Sequence, residues 1–349
     1  MSLRSWFLTF IILLLSKIVI AQGTNSSLTQ KYLADKKKFE AFEGKHRGNV
    51  QTGNHKISYL KWGNNSNKVF IWLPGSLLSA YDFYPFAEEL VKEGYCVLSV
   101  DHYGHGLTSI PGKDLDFWDF ADDLSFLMNS LGMERAVIGG FSRGGYLATA
   151  FYEKYPEKVN ALILEDGGTV SFRSLFDNMD SPDYRSFSQS IEPPLEIKKL
   201  LFDRYASEFD VYKNLYEIDG SEQQWQTFGF IRKEDNYWVL YYGLNEFMNM
   251  QDSLHYSQVL WQPELVSDYA SSIARVDPLK VYSALKVPML IIEAIGKPDA
   301  FDSTQGNKKL KDLNPNLVQY KLFDCDNHNI HYGCPELFIK EVKSFLRTL

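Results

Sequence analysis

A single serine stands among glycines in the segment Gly140-Phe141-Ser142-Arg143-Gly144, between an apolar run typical of a strand and a stretch typical of a helix. Glycine costs conformational entropy and adds no packing, so its repetition here indicates backbone positions that tolerate no side chain. In a sharp strand-to-helix turn the central serine presents its hydroxyl, while Gly140 and Gly144 leave clearance for neighbouring chain. The following helix directs free backbone N–H groups at an oxyanion beside the serine. The segment predicts that Ser142 is a nucleophile.

Segments typical of strands and of helices alternate on both sides of this serine. The apolar runs that favour strands are CVLSV, RAVIGG, NALILE, PMLIIEA and LVQYKLFD, and helical stretches separate them. Such alternation predicts an α/β fold, in which a mostly parallel sheet carries helices on both faces. Ligands of these folds bind at the carboxyl ends of the strands, and Ser142 follows one of those ends.

Three further segments make the chain resemble the α/β-hydrolase superfamily, in its cap-bearing serine esterase and lipase-like branch. They are the loop DHYGHGLTS at 101–109, the block ADDLSFLMNSLGMERAVIGGFSRGG, and KVPMLIIEA. The resemblance covers residues 49–168 and 284–349 and implies the α/β-hydrolase fold for them. For residues 169–283, where strand alternation is missing and aromatic residues are frequent, it implies a helical cap. Apolar side chains of a cap can line a substrate pocket.

The resemblance also implies an oxyanion hole formed by the backbone N–H groups of Ser76 and Arg143. Ser76 lies in WLPGSLL, after the third strand, where family members usually carry His-Gly and this chain has Pro74-Gly75. Proline has no N–H group to donate, so the hydrogen bonds of the usual histidine are lost. The alternative interpretation is that Gly75 serves only as a turn glycine.

Two histidines in CDNHNIHYGCPELF are candidates for the general base that takes the serine proton. In the family, the catalytic histidine stands seven residues before a proline that opens the last helix. His328 has this spacing to Pro335. The resemblance therefore favours His328, and it leaves His331 as a loop histidine near the mouth of the site. His102 and His105 are predicted to be structural.

The acid that orients the histidine has two candidates. Counting from the Val-Pro pair of KVPMLIIEA, the family's aspartate position falls on Lys297, but a two-residue insertion brings Asp299 into a G-x-x-D pattern. Asp299 then precedes His328 by 29 residues, a spacing that the family commonly shows. Asp166, which follows NALILE at the end of the sixth strand, is the second choice, because some lipases place the acid there. Glu165 is predicted to be solvated or to structure its loop.

The first 21 residues have the order of a secretory signal peptide, with Arg4, an apolar run from Trp6 to Leu15, and Ala21 at the end. The apolar run is short for a membrane span of about 20 residues, which favours a cleaved signal over an uncleaved anchor. We therefore expect a secreted or periplasmic protein in which residues 22–48 form an extension before the core.

Cys325 and Cys334 flank both C-terminal histidines, and in an oxidising compartment we expect them to form a disulfide. Cys96, within an apolar strand, is predicted to be a buried thiol. No spacing of cysteines and histidines resembles a zinc site, and no cofactor is implied. A formal charge of −8 without a dense run of Lys and Arg gives no basis for nucleic-acid binding, and no stable protein partner is predicted.

Together these residues predict a serine hydrolase that cleaves carboxylic esters of a partly apolar, small or lipid-like molecule through an acyl-enzyme. An aminopeptidase-like or amidase-like hydrolase with the same three side chains is one alternative. A weakly catalytic binding protein is another, since one fold hosts many functions. The intact serine segment and histidine argue against the binding protein, whereas the missing His-Gly and the displaced acid argue for it.

Overall fold

The central sheet of the computed structural model has eight strands: β1 (Arg47–Gln51), β2 (Lys56–Trp62), β3 (Lys68–Leu73), β4 (Tyr95–Val100), β5 (Ala136–Phe141), β6 (Val159–Glu165), β10 (Met289–Ala294) and β11 (Val318–Phe323). They lie in the order β1-β2-β4-β3-β5-β6-β10-β11. β2 pairs antiparallel with β1 and with β4, and the remaining neighbours pair parallel. The mostly parallel sheet predicted from the alternating segments is confirmed.

The structure describes residues 25–65, 68–177, 179–191, 194–216, 224–295, 303–325 and 328–349. The predicted signal peptide at 1–21 and the candidate acid Asp299 lie outside the described residues. Across the described ranges, no helix combines the length and the apolar character that crossing a bilayer requires.

Helices surround the sheet. In chain order they are α1 (Asn25–His46), α2 (Tyr84–Lys92), α3 (Phe117–Ser130), α4 (Arg143–Lys154), α5 (Ser181–Ile191), α6 (Leu195–Phe202), α7 (Glu208–Leu215), α8 (Leu244–Phe247), α9 (Ser253–Trp261), α10 (Asp268–Arg275), α11 (Pro278–Tyr282), α12 (Thr304–Leu313), α13 (Ile330–Gly333) and α14 (Pro335–Leu346). Short 3-10 helices lie at Ala80–Phe83, Pro156–Lys158, Arg173–Phe176, Gln224–Gly229 and Pro263–Leu265.

Both faces of the sheet are buried along its central strands, such as β4, β5 and β10, as their continuous apolar residues predict. Along β5, Ala136 and Ile138 join one apolar cluster and Val137 joins the other, because successive strand residues point to opposite faces. The first cluster includes residues of α3 and α4, and the second includes residues of α2 and α14. Helices on both sides therefore hold β5, and with it the turn that carries the serine, in a packed layer.

The insertion between β6 and β10 holds the helices α5 to α11. It also holds a small antiparallel sheet in the order β7-β9-β8, formed by Arg204–Tyr205 (β7), Arg232–Glu234 (β8) and Tyr237–Val239 (β9). This sheet could not be predicted from the sequence, since strands of two or three residues are too short to show alternation. The insertion is thus mainly helical, with one sheet of its own.

The predicted extension at 22–48 includes α1 and the first two residues of β1. The centroid of the Phe42 ring lies 6.2 Å from that of the Trp62 ring, in the core, and 5.1 Å from that of the Trp225 ring, in the insertion. Lys36 Nζ lies 2.5 Å from the Glu208 carboxylate, also in the insertion. α1 therefore links the insertion to the sheet. Its apolar residues form no single stripe, which is why periodicity did not reveal its packing face.

The predicted disulfide between Cys325 and Cys334 is wrong for this structure, which records both residues, like Cys96, as thiols. Cys325 belongs to the apolar cluster under α14, and the half-buried Cys334 packs against the same cluster. A cysteine thiol behaves as a small apolar side chain, so packing accounts for both residues without a covalent link. The buried thiol predicted for Cys96 is confirmed.

Candidate active site

The turn between β5 and α4 holds Ser142 in a strained backbone conformation. Its φ of 50° and ψ of −118° lie outside the regions that residues with a side chain prefer. The Ser142 N–H donates to the Glu165 carbonyl, at the end of β6, over 2.9 Å. Strain of this kind costs about 1–3 kcal/mol and persists only where the surrounding structure enforces it. The conformation marks Ser142 as a candidate functional residue.

The glycines beside Ser142 make room for backbone, as the sequence predicts. A Cβ on Gly144 would lie 1.9 Å from the Leu73 carbonyl oxygen, and a Cβ on Gly140 would lie 2.3 Å from the Gly144 carbonyl oxygen. Backbone in a packed layer cannot move aside as the end of a side chain can. A side chain at either position would therefore displace the turn.

His328 lies between the serine and a carboxylate. Its Nε2 is 3.1 Å from Ser142 Oγ, and its Nδ1 is 2.6 Å from Asp166 Oδ2. With the proton assigned to Nδ1, the imidazole donates to Asp166, and Nε2 accepts the hydrogen bond of the Ser142 hydroxyl. The His328 side chain is 24% exposed and that of Asp166 is fully buried. The imidazole is thus accessible from the site, whereas the acid is enclosed behind it.

The carboxylate that meets His328 belongs to Asp166, the second candidate of the sequence analysis. Asp166 follows β6 directly, and its φ of 45° is another positive value at a residue with a side chain. Burial raises the pKa of Asp166, and the His328 ring opposes that rise. Asp166 Oδ1 is buried and has no hydrogen-bond partner among the described residues. The geometry therefore favours Asp166 as the acid and gives no support to the sequence's first choice, Asp299, which lies outside the described residues.

The two residues predicted to form the oxyanion hole lie together. Arg143 is the first residue of α4, so its N–H has no acceptor within the helix. The Nε of its side chain donates to Ser76 Oγ over 2.9 Å. A Cβ on Gly75 would lie 2.6 Å from the Phe141 ring, so Gly75 allows the loop after β3 to approach β5 closely and is more than a turn glycine. The arrangement brings this loop against the Ser142 turn.

His102 supports the same loop, a specific role that the sequence analysis did not assign. Its buried ring lies beside the Pro74 and Gly75 carbonyls, and its Nδ1 is 2.6 Å from the Tyr269 hydroxyl. Burial and the charge of Arg143 lower the pKa of His102 to about 3, so the ring is neutral. The sequence signal that could have indicated this role is Pro74, which stands where family members carry a histidine. Because proline has no polar side chain, another polar group must then contact the loop after β3.

His331, predicted to be a loop histidine near the mouth of the site, is instead fully buried behind it. Its Nδ1 is 2.7 Å from Glu165 Oε2, and its Nε2 is 2.8 Å from Asp82 Oδ1. Burial by itself lowers the pKa of His331, but the two carboxylates outweigh it and raise the pKa to about 10. Glu165 is buried as well, so the solvated alternative predicted for it is wrong. Its Oε1 accepts the His331 N–H over 2.8 Å, which agrees with the other alternative, a residue that structures a loop. The Phe141 ring lies between this charged cluster and His328.

Replacement of His331 by Gln is expected to lower the free energy of unfolding by about 3–5 kcal/mol near neutral pH, because it leaves two buried carboxylates without their cation. The unfolded chain releases this proton near pH 6.5 and the folded chain near pH 10. The stabilisation is therefore complete below pH 6.5 and is lost as the pH rises towards 10. Thermal unfolding of both proteins across this range should show a difference that shrinks with rising pH.

The control for this prediction is His55→Gln, at a half-buried histidine whose Nε2 lies 2.9 Å from the Ser109 carbonyl oxygen. It removes no ion pair and should cost little stability. A difference between the native protein and His331→Gln that does not change with pH would contradict a charged His331.

The contacts of Ser142, His328 and Asp166 can move the serine proton to His328 while Asp166 stabilises the resulting cation. A serine hydroxyl whose proton is accepted in this way becomes a nucleophile that can attack a carbonyl carbon. Within the described ranges, no group of three or more His, Cys, Asp or Glu side chains is arranged to hold a metal ion.

Comparison with known proteins gives the same fold. A family model described as alpha/beta hydrolase fold matches residues 68–333. The AB hydrolase superfamily protein YisY of Bacillus subtilis is 27% identical over 161 residues, which cover 45% of this chain and only 58% of that relative. A thermophilic esterase from Thermogutta terrifontis has a TM-score of 0.56 at 20% identity, with 86% of this chain and 98% of that chain covered. The carboxylesterase CesB from Bacillus subtilis has a TM-score of 0.53 at 16% identity, with 92% and 98% covered.

Proposed function

We propose that this chain, which belongs to the alpha/beta hydrolase family, is a serine hydrolase that cleaves carboxylic esters. The observation that carries the proposal is the continuous contact from Ser142 Oγ through the His328 ring to the Asp166 carboxylate. A serine hydroxyl is a weak nucleophile until a base beside it accepts its proton. Cleavage has two halves, in which the acyl group is first transferred to Ser142 and then to water, and the same three residues serve both.

In the first half, His328 Nε2 takes the proton of Ser142 as its Oγ attacks the ester carbonyl carbon. Asp166 keeps the other ring proton on Nδ1 and stabilises the imidazolium. The carbonyl oxygen becomes an oxyanion and accepts hydrogen bonds from the N–H groups of Ser76 and Arg143. The imidazolium then gives its proton to the leaving alcohol, and the acyl group remains on Ser142.

In the second half, a water molecule takes the place of the alcohol. His328 accepts one of its protons while the water oxygen attacks the acyl carbon. The oxyanion forms at the same N–H groups and collapses, and Ser142 leaves with the proton from His328. The products are a carboxylic acid and the enzyme in its starting protonation state.

The surroundings of Ser142 support a partly apolar substrate. The insertion contributes Tyr256, from α9, and Tyr269, from α10, close to the side chain of Arg143. Other aromatic residues of the insertion pack on one another, such as Tyr184 on Trp261 at 4.9 Å between ring centroids. We assign only the rings near Arg143 to the substrate side. Esters are favoured over amides because the two similar solved structures are named as esterases.

Export from the cytoplasm is also part of the proposal. It rests on the signal-peptide order of residues 1–21, with a basic residue, an apolar run and a small residue in sequence. Mass spectrometry of the N-terminus of the protein purified from its host should find a mature chain that begins at Gln22.

The proposed reaction is tested with a panel of p-nitrophenyl esters of increasing acyl length, assayed beside amino-acid p-nitroanilides. We expect turnover of esters, and labelling of Ser142 by a fluorophosphonate, located by mass spectrometry of a digest. Preferential cleavage of anilides would move the assignment to the amidase-like alternative. Neither turnover nor labelling would contradict the proposal and favour a binding protein.

A further inference from the structure

The guanidinium of Arg143 is a buried positive charge that forms no ion pair with a carboxylate of the described residues. The residue is 2% exposed, and the bond from Nε to Ser76 Oγ is the only side-chain hydrogen bond that the described part of the chain gives it. Nη1 is buried without an acceptor. The rings of Phe117 and Tyr269 flank the group, each with its centroid 5.7 Å from Cζ. A buried cation in such surroundings is costly unless a negative group pairs with it.

Arg47 shows how the same fold balances another buried guanidinium. Its side chain is 7% exposed, with Nε 2.8 Å from Glu43 and Nη1 2.9 Å from Asp101. Burial by itself lowers the pKa of Arg47, but the two carboxylates reverse the shift and raise it, whereas burial leaves the pKa of Arg143 lowered. Arg47 therefore has its negative partners within the protein, whereas no residue of the described ranges supplies one to Arg143.

The position of Arg143 indicates where its partner comes from. The residue follows Ser142 directly, and its Nε contacts Ser76, on the loop that faces the nucleophile. Ser76, Ser142 and Tyr256 are each half-buried, so solvent reaches the residues around the guanidinium although the group itself is enclosed. An anionic group of a substrate bound at Ser142 would thus have a short path to Arg143.

We propose that Arg143 binds a carboxylate of the substrate, so that the ester cleaved at Ser142 carries a carboxylate a few bonds from its scissile carbonyl. The proposal deepens the proposed function and rests on it. The planar fork of a guanidinium matches the two oxygens of a carboxylate. One carboxylate also balances the single charge of Arg143, whereas a phosphate monoester would bring nearly two charges against one. The substrate class is therefore a half-ester of a dicarboxylic acid.

The test compares two methyl esters that differ only in charge, monomethyl glutarate and methyl glutaramate, by release of methanol, with the succinate and adipate pairs run beside them. The native enzyme is expected to prefer the acid over the amide by about 10- to 100-fold in kcat/KM, the range of a charge-assisted hydrogen bond. Arg143→Met should bring this ratio near one, chiefly through KM, because the carboxylate lies away from the reacting atoms. Arg143→Lys should retain part of the preference.

Two controls separate a binding role from a structural one. Arg275 also lies over an aromatic ring, that of Trp118 at 5.4 Å, but it is 39% exposed and pairs with Asp116. Arg275→Met should leave the ratio unchanged. The melting temperature of Arg143→Met should equal or exceed that of the native protein, since the variant removes an unpaired buried charge and keeps most of the apolar stem.

The outcomes are distinguishable from failure of the proposed function. A native ratio near one, or an unchanged ratio in Arg143→Met, would overturn the carboxylate site while ester cleavage stands. An equal loss of kcat for both esters would mean that Arg143 positions the loop that carries Ser76. This result would also overturn the carboxylate site. If no ester is cleaved, calorimetry of both methyl esters on Ser142→Ala decides the matter. Tighter binding of the acid that depends on Arg143 supports the site, and equal binding refutes it.

Discussion

Ser142→Ala is expected to lower kcat/KM for every cleaved ester by about 10⁴- to 10⁶-fold, the loss found when a nucleophile of this kind is removed. The reason is that Ser142 supplies the hydroxyl that lies 3.1 Å from His328 Nε2. Steady-state assays on the preferred p-nitrophenyl ester measure the loss, and circular dichroism checks the fold. Alanine keeps the strained backbone conformation, so the free energy of unfolding should change little.

Ser142→Gly is the matched variant for this prediction. It also lacks the hydroxyl and should be equally inactive, but glycine adopts a φ of 50° without strain. It should therefore be more stable than Ser142→Ala by about 1 kcal/mol. Retention of more than a hundredth of the native rate by both variants would show that Ser142 is not the nucleophile.

Asp166→Asn is expected to lower kcat by about 10⁴-fold, with little change in the fold. The asparagine amide can donate to His328 Nδ1, and this interaction favours the tautomer that carries its proton on Nε2. That tautomer cannot accept the proton of Ser142. The imidazolium also loses the anion 2.6 Å from its second nitrogen. Stopped assays with excess enzyme measure the slow residual turnover.

Asp299→Asn is the control, because the sequence pattern places the acid there. We expect a loss of less than about tenfold, since His328 keeps its contact with Asp166. The opposite ranking of the two variants would return the acid to Asp299. Small losses in both would mean that Ser142 and His328 act without a dedicated acid.

The sequence by itself determined the class of fold and predicted Ser142 as the nucleophile. The glycines around Ser142 are needed by a local turn, in which a Cβ on Gly144 would meet the Leu73 carbonyl. Alternating strands and helices likewise reflect short-range periodicity, so the parallel sheet followed from them. His328 was predicted as the base from the family resemblance, through its spacing to Pro335, and this too is a local pattern.

Only the tertiary structure decided which groups surround these residues. Asp166 and His328 are 162 positions apart, and Asp82 and His331 are 249 apart, so no spacing along the chain could rank the acids or show that His331 is buried between two carboxylates. The sequence likewise could not show that, among the described residues, the buried Arg143 Nη1 has no acceptor. A local pattern specifies how the backbone turns at a residue. The partners of a buried charge depend on which distant segments the sheet brings together, and that is settled when the whole core packs.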